Sequence, residues 1–159
     1  MTFATIKYKD WAFEVDRELT RQTYNNVAIG GPESCGCNEC KNFANNREDI
    51  YPEEIKKLFD QLGIDYKKES EICHYGRQPD GLHYCGGWFH FKGKFQGKVC
   101  TVPTVSGTYA FDLTPINDKF SIGFRYDSSL TFFADKNNIV QIEFLAKTPW
   151  TIESELESE

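Results

Sequence analysis

The clearest structural pattern in the chain begins with Phe120-Ser121-Ile122-Gly123-Phe124-Arg125-Tyr126 and resumes in Val140-Gln141-Ile142-Glu143-Phe144. In both stretches apolar side chains alternate with polar or small ones, which is the period-2 pattern of strands buried on one face. Between them, the apolar alternation of residues 130–134 predicts a further short strand, and Lys136-Asn137-Asn138 predicts a hairpin turn. The pattern therefore predicts antiparallel strands in the C-terminal half of the chain.

Strands are also predicted upstream of this region. Residues 2–16 are rich in β-formers, with Trp11, Phe13 and Val15 alternating against more polar neighbours. Residues 19–27 show no clear pattern, and Ile29-Gly30-Gly31-Pro32 predicts a loop. From residue 70 onward the predicted strands are 70–76, 82–92, 98–103, 108–113, 119–126, 130–134 and 139–147.

Two helices are predicted between the N-terminal strands and the later ones. Residues 38–47 place four side chains, including Cys40 and Arg47, on one helical face. Residues 51–62 carry an apolar stripe at i, i+3, i+4 and i+7, and Gly63 can close that helix. The predicted class is α+β: a mostly antiparallel sheet, or an open barrel or sandwich, with two short helices inserted after the N-terminal strands.

Length and charge limit the classes of function. The chain has 159 residues and a net charge of −6, and four glutamates lie within its last seven residues. We expect one α+β domain over residues 1–150, followed by an acidic, disordered tail over 151–159. An acidic chain without a basic stripe argues against nucleic-acid or anionic-membrane partners. The first residues contain no apolar signal core, so a cytoplasmic location is expected.

Three of the six cysteines form the cluster Cys35-Gly36-Cys37-Asn38-Glu39-Cys40. Thiolates at this spacing can wrap one Zn²⁺ ion, and a structural zinc site needs four ligands. The favoured source of the fourth ligand is Cys73 or His74, which open the strand after the helices. Other candidates for this ligand are His83, Cys85, His90 and Cys100.

Two other interpretations of the cluster stay open. Cys37 and Cys40 lie where a helix begins, and a helix N-terminus lowers the pKa of a nearby thiol, which would suit redox chemistry. The three side chains could equally be small buried apolar groups without chemistry. The sequence thus predicts a small binding domain with a structural zinc, with a thiol redox protein or a metal-free protein-interaction domain as alternatives.

The string Gly86-Gly87-Trp88-Phe89-His90-Phe91 is the second unusual feature of the sequence. Paired glycines within a strand predict a bulge or a close approach of another backbone. Trp88 and His90 share one strand face, and we expect a cleft near them, between helices and sheet, that binds a small ligand or a protein. No Ser-His-Asp order, phosphate loop or zinc-protease motif is present, so no catalytic residue is predicted.

Several strings together resemble a family of small bacterial proteins that are known only as hypothetical proteins. The most specific are the C-x-C-x-x-C-x-N-F string at 35–43 and the G-G-W-F-H-F string at 86–91. Val140-Gln141-Ile142-Glu143-Phe144 and Pro149-Trp150 add to the resemblance, which runs from about residue 11 to residue 150. It implies a complete bacterial protein rather than an excised module, and it implies no activity, substrate or catalytic residue.

Overall fold

A computed structural model describes residues 3–153 and 156–159 of the chain. Residue 2 of the predicted N-terminal strand region and residues 154–155 of the predicted tail lie outside this part. The described strands are β1 (Ala4–Tyr8), β2 (Trp11–Val15), β3 (Glu71–Arg77), β4 (His83–Gln96), β5 (Thr101–Pro103), β6 (Tyr109–Phe111), β7 (Thr114–Asn117), β8 (Phe120–Tyr126) and β9 (Ile139–Thr148). The described helices are α1 (Arg17–Asn25), α2 (Gly31–Cys35), α3 (Asn38–Ile50) and α4 (Glu53–Leu62).

One open sheet organises the fold. Its strand order is β1-β2-β4-β9-β8-β7, with β3 beside the first half of β4, and every pairing is antiparallel. The 14-residue β4 pairs along one edge with β9, and along the other first with β3 and then with β2. β5 and β6 form a separate two-stranded hairpin. The predicted α+β class is confirmed, and the sheet does not close into a barrel.

Side chains of α1 fill the gap that β3 and β2 leave along β4. The Tyr24 hydroxyl donates to the carbonyl of His90 and accepts from its amide, both at 3.0 Å. Thr20 Oγ1 accepts from the amide of Lys92 at 3.2 Å. An unpaired buried backbone group costs as much free energy as a lost hydrogen bond. These contacts therefore satisfy the backbone groups of β4 at His90 and Lys92, where neither β2 nor β3 pairs with them. Helix α1, which includes most of residues 19–27, therefore supplies the hydrogen bonds that a neighbouring strand would otherwise make.

The core lies between the helices and one face of the sheet. The predicted apolar stripe of α4 is entirely buried, and its Phe59 ring lies 4.8 Å from the ring of Phe89 on β4. Gly63 closes α4 with a φ of 86°, and the amide of Ile64 donates to the carbonyl of Phe59 at 2.8 Å. Each buried Phe or Leu contributes about 1.5–3 kcal/mol by leaving water. The stripe residues are Ile55, Leu58, Phe59 and Leu62.

The predicted strand at 130–134 is wrong, and the turn at 137–138, within the predicted 136–138, ends a loop rather than a tight hairpin. Residues 127–138 form one long loop between β8 and β9, and Leu130 is exposed with a φ of 54°. The loop folds back over β4, where the buried Lys92 ammonium bonds to Asp135 and to the carbonyl of Asn137. The folded-back loop buries Phe133. This part of the chain therefore packs against the sheet as a loop instead of adding a strand to it.

The structure has two helices in addition to the two predicted ones. The loop predicted at 29–32 runs into α2, which has Pro32 in its first turn, where a missing N–H costs nothing. Residues 19–27 lie largely within α1, which Asp16 caps by accepting from the amide of Leu19 at 3.1 Å. The edge strand β7 was missed because Pro115 is typical of a strand boundary or edge.

The end of the chain contacts the sheet. Glu157 forms a 2.8 Å ion pair with Arg77, and its carboxylate lies 3.2 Å from Nε2 of His83. Ser158 Oγ donates to Glu39 at 2.9 Å. The division into a domain over 1–150 and a tail over 151–159 stays a prediction.

Candidate metal centre

The three clustered cysteines lie where one helix ends and the next begins. Cys35 is the last residue of α2, Cys37 is the N-cap of α3, and Cys40 lies in the first turn of α3. Gly36 joins them with a φ of 70°, a conformation that side chains disfavour, and its amide donates to the carbonyl of Pro32 at 3.0 Å. This sharp reversal of the chain brings the sulfur at the end of α2 close to the two sulfurs at the start of α3.

The three sulfur atoms lie within 4.8 Å of one another. Tetrahedral coordination with Zn–S bonds of about 2.3 Å requires sulfurs about 3.8 Å apart, so a small inward movement of each sulfur would complete this part of the site. Cys40 is buried, whereas Cys35 and Cys37 are exposed. The cluster is therefore enclosed by protein at Cys40 and open to solvent at Cys35 and Cys37.

Burial and mutual hydrogen bonds shift the pKa values of Cys35 and Cys40 in opposite directions. Burial, and then hydrogen bonds with Cys37 and Cys35, raise the pKa of Cys40 far above its usual value. The pKa of Cys35 is lowered, first by a hydrogen bond from the backbone of Cys37 and then by side-chain hydrogen bonds. A bound cation stabilises the thiolate form of every ligand, which offsets the cost of ionising the buried thiol.

A buried ion pair holds the two helices of the cluster together. Arg47 of α3 bonds to Glu33 of α2 at 2.9 Å and to the fully buried Glu69 at 2.8 Å. The Tyr51 hydroxyl donates to Glu69 at 2.7 Å. Burial raises the pKa of Glu69, although Arg47 opposes this, and a hydrogen bond from Arg47 lowers that of Glu33. The sequence placed Arg47 on the same helical face as Cys40 but did not identify its partners.

Among the residues that the structure describes, no fourth Cys, His, Asp or Glu atom joins the group of three sulfurs. The two favoured donors, Cys73 and His74, are neighbours on β3, so their side chains face opposite sides of the sheet. His74 interacts electrostatically with Glu39 of α3, on the side of the cluster. Cys73 interacts instead with Glu71, Tyr75 and Glu143, although Glu71 also interacts electrostatically with Cys35 of the cluster.

The remaining donor candidates are engaged in other contacts. Nε2 of His74 lies 2.9 Å from Nδ1 of the buried His83, whose other nitrogen faces Glu157. Cys85 Sγ donates to the carbonyl of Ala146 at 3.6 Å, and neither Cys85 nor the buried Cys100 lies in the group of sulfurs at 35–40.

Trp88 and His90 lie on the face of the sheet that points away from the core, rather than between helices and sheet. Trp88 lines an open cleft of 420 Å³ there, and its Nε1 donates to the carbonyl of Ser129 at 2.9 Å. His90 is fully buried behind the cleft, and Gln141, which hydrogen-bonds to it at 2.9 Å, lines the cleft. The sequence grouped the two residues by strand parity, but it could not show that Trp88, which contacts the loop at 127–138, stays partly exposed while His90 is buried.

The paired glycines behave as predicted. A Cβ atom on Gly86 would lie 2.8 Å from the carbonyl oxygen of Phe144, and one on Gly87 would strike the carbonyl oxygen of Glu71. The close approach of both neighbouring strands is therefore confirmed as the reason for this pair.

Comparison of the chain with known protein families, curated proteins and solved structures finds no significant match. The resemblance to small bacterial proteins accordingly stays a prediction. No helix in the described part of the chain has the length and apolar character needed to cross a bilayer.

Proposed function

We propose that this protein is a small metal-binding domain in which Cys35, Cys37 and Cys40 hold a Zn²⁺ ion. The observation that carries the proposal is the approach of the three sulfurs to within 4.8 Å of one another on a six-residue segment. Soft thiolates favour Zn²⁺ among the abundant divalent ions, and short spacings between cysteines are typical of its sites.

The surroundings of the cluster favour thiolates. The free amides at the start of the 13-residue α3 and the positive end of its dipole face the side on which Cys37 and Cys40 lie. The Arg47 ion pairs hold α2 against α3, so the ligands approach the ion from a fixed frame. A bound ion would in turn join the end of α2 to the start of α3 and stabilise the reversal at Gly36.

The chain offers three ligands, and the exposed side of the cluster leaves the fourth position to water or to an external group. A site of this kind differs from the closed four-ligand site that the sequence predicted. It stabilises the helix junction when water completes the tetrahedron, and it can accept a ligand from a second molecule. Such a site needs reduced thiols, so we place the protein in the cytoplasm.

Zinc content is the direct test. Protein purified without chelator should contain one zinc per chain by elemental mass spectrometry, and chelation should lower its melting temperature. Free zinc at about 100 times its Kd adds about 2.7 kcal/mol of stability, which is worth about 5–10 °C in a chain of this size. Absence of zinc together with no thermal response to added zinc would refute the proposal.

Two serine variants make the test specific. Cys37→Ser should abolish one-to-one binding, whereas Cys73→Ser, which removes a thiol from the opposite face of the sheet, should keep it. Loss of zinc in both variants would show that the fourth ligand is Cys73 and that β3 rearranges on binding.

A thiol redox function is the second candidate, and the lowered pKa of the Cys35 thiol favours it. This thiol is exposed, and hydrogen bonds from Cys37 and Cys40 lower its pKa. Since thiolates react and thiols do not, Cys35 should be alkylated faster than the other five cysteines in metal-free protein. Peptide mapping after a short pulse of iodoacetamide at neutral pH would measure this, and uniform slow labelling would remove the redox function.

A further inference from the structure

A second candidate site lies on the sheet face opposite the cysteine cluster. It is the cleft of 420 Å³ that Trp88 lines, and it is called the aromatic cleft below. The β5–β6 hairpin and the end of β8 form one side of it, and the outer face of β3, β4 and β9 forms the rest. The side chains used in the argument are Tyr75, Trp88, Tyr109, Phe111, Arg125 and Glu143.

Aromatic rings dominate the walls of the aromatic cleft. Tyr75, Tyr109 and Phe111 are all more than half exposed, at 59%, 53% and 51%. The indole of Trp88 is held in place by the 2.9 Å hydrogen bond from its Nε1 to Ser129. Four aromatic side chains from three separate elements thus keep their faces accessible around one space, although burial in the core would stabilise them more.

One carboxylate of the cleft has no cation in direct contact among the described residues. The two terminal nitrogens of Arg125 donate to the Tyr109 hydroxyl, at 3.1 Å, and to Asp127. Arg125 thus pairs with Asp127, and its charge acts on Glu143 only without direct contact. Glu143 accepts from Gln141 at 2.6 Å, but in the described part of the chain no Lys or Arg nitrogen lies within ion-pair distance of it. The cleft keeps a net charge of −1.

The aromatic rings already hold a cation at one edge of the cleft. The guanidinium of Arg125 lies 5.1 Å from the ring centre of Tyr109 and 5.5 Å from that of Phe111. These distances are within the range of cation–π attraction, so the hairpin is fixed over the sheet by this chemistry. The faces of Tyr75 and Trp88, on the side of Glu143, have no comparable cation among the described residues.

We propose that the aromatic cleft binds an organic ammonium ion, with its charge on Glu143 and its alkyl groups against Tyr75 and Trp88. Burial raises the pKa of Glu143, and the hydrogen bond from Gln141 and the charge of Arg125 offset only part of that rise. An ammonium ion would place a cation in contact with the carboxylate, and methyl groups on its nitrogen gain from contact with ring faces. The proposal is independent of zinc, because the cysteine cluster lies on the other side of the sheet.

Calorimetry with two probes of equal shape tests the proposal. Choline carries the charge, and 3,3-dimethylbutan-1-ol is its neutral isostere. We expect choline to bind the full chain at low salt about tenfold more tightly than the alcohol. Equal affinity for the two would overturn the proposal, as would no heat from choline at 100-fold excess over protein.

Three variants locate the binding. Glu143→Gln keeps the shape of the side chain and should weaken choline binding about tenfold, to the level of the alcohol. Tyr75→Leu should weaken it roughly threefold, because it removes one ring face. Phe3→Leu changes an exposed aromatic residue outside the cleft and should leave it unchanged. Full affinity in Glu143→Gln would refute the assignment.

A measurement on the unmodified protein guards against variants that misfold. Choline should shift the indole N–H signal of Trp88 in a proton–nitrogen correlation spectrum, while the signals of Trp11 and Trp150 stay in place. Saturable shifts at Trp11 or Trp150 without a shift at Trp88 would place the ion elsewhere and overturn the proposal.

Discussion

Acid should destabilise this protein through one buried imidazole, that of His90. The side chain is 1% exposed, and its Nε2 lies 2.9 Å from the Gln141 amide oxygen. Gln141 is fixed in this orientation because its nitrogen donates to Glu143 and its oxygen accepts from the amide of Ser129. Nε2 of His90 is therefore the protonated nitrogen, and Nδ1 accepts from the hydroxyl of Ser70 at 3.2 Å. The folded protein holds this ring neutral.

The size of the effect follows from the pKa of His90. Burial lowers it from 6.5 to about 4, and the hydrogen bond with Gln141 offsets only part of that shift. Because the unfolded chain takes up the proton first, the free energy of unfolding falls as the pH drops through 6.5, and the loss is nearly complete below 4. At 1.36 kcal/mol per pKa unit, His90 alone costs about 3 kcal/mol at pH 4.

The assay compares the wild-type chain with His90→Gln by urea denaturation from pH 7 to pH 4, followed by tryptophan fluorescence. The variant is expected to be less stable at pH 7, since it alters a buried hydrogen-bond network. The two curves should converge by about 3 kcal/mol between pH 7 and pH 4, because the variant lacks the titrating ring. Carboxylates outside the network of His90, Gln141 and Glu143 are common to both proteins and cancel in the difference. Parallel curves would refute the assignment of the acid sensitivity to His90.

Three further variants test the frame of the two sites, each by urea denaturation at pH 7. Arg47→Met should cost about 3–5 kcal/mol, because it leaves Glu69 buried without its cation, and adding Glu69→Gln should recover part of that loss. Failure of the second change to recover stability would show that Arg47 acts by packing. Gly87→Ala should cost about 1–3 kcal/mol through its clash with Glu71, and a neutral result would show that β3 can move aside. Asp16→Ala should cost about 1 kcal/mol by removing the cap of α1, and Asp16→Asn should restore most of it.

The parts of the fold that the sequence predicted are those encoded by neighbouring residues. The strands β8 and β9 alternate with period 2, and α4 carries both its stripe and its closing glycine within 11 residues. Helix α1 escaped prediction because its buried residues, Thr20 and Tyr24, are held by hydrogen bonds to β4 rather than by an apolar stripe. Residues 130–134 were mistaken for a strand because Leu130, Phe132 and Ala134 alternate in sequence, whereas in the loop Leu130 is exposed and Phe133 is buried.

The same distinction separates the two candidate sites. The cysteine cluster could be predicted because its three ligands lie within six residues, and the reversal at Gly36 brings them together almost independently of the remaining fold. The lack of a fourth ligand among the described residues could not be predicted, since it depended on which side chains of β3 face α3. The parity of β3 directs only His74 toward the helices and sends Cys73 to the other face.

The aromatic cleft is the opposite case, and this difference has consequences for how each site forms. Its members are spread from Tyr75 to Glu143, so the cleft exists only after β3, β4, β8 and β9 have paired in the correct register. Closing so long a segment costs more chain entropy than closing the short segment of the cysteine cluster, and only the completed sheet compensates that cost. In the sequence, Glu143 looks like any outward-facing polar residue of a strand, so its role in the cleft could not be predicted. Glu143 has no contact ion pair among the described residues because Arg125 pairs with Asp127 instead, and that pairing depends on how β8 enters the loop that follows it.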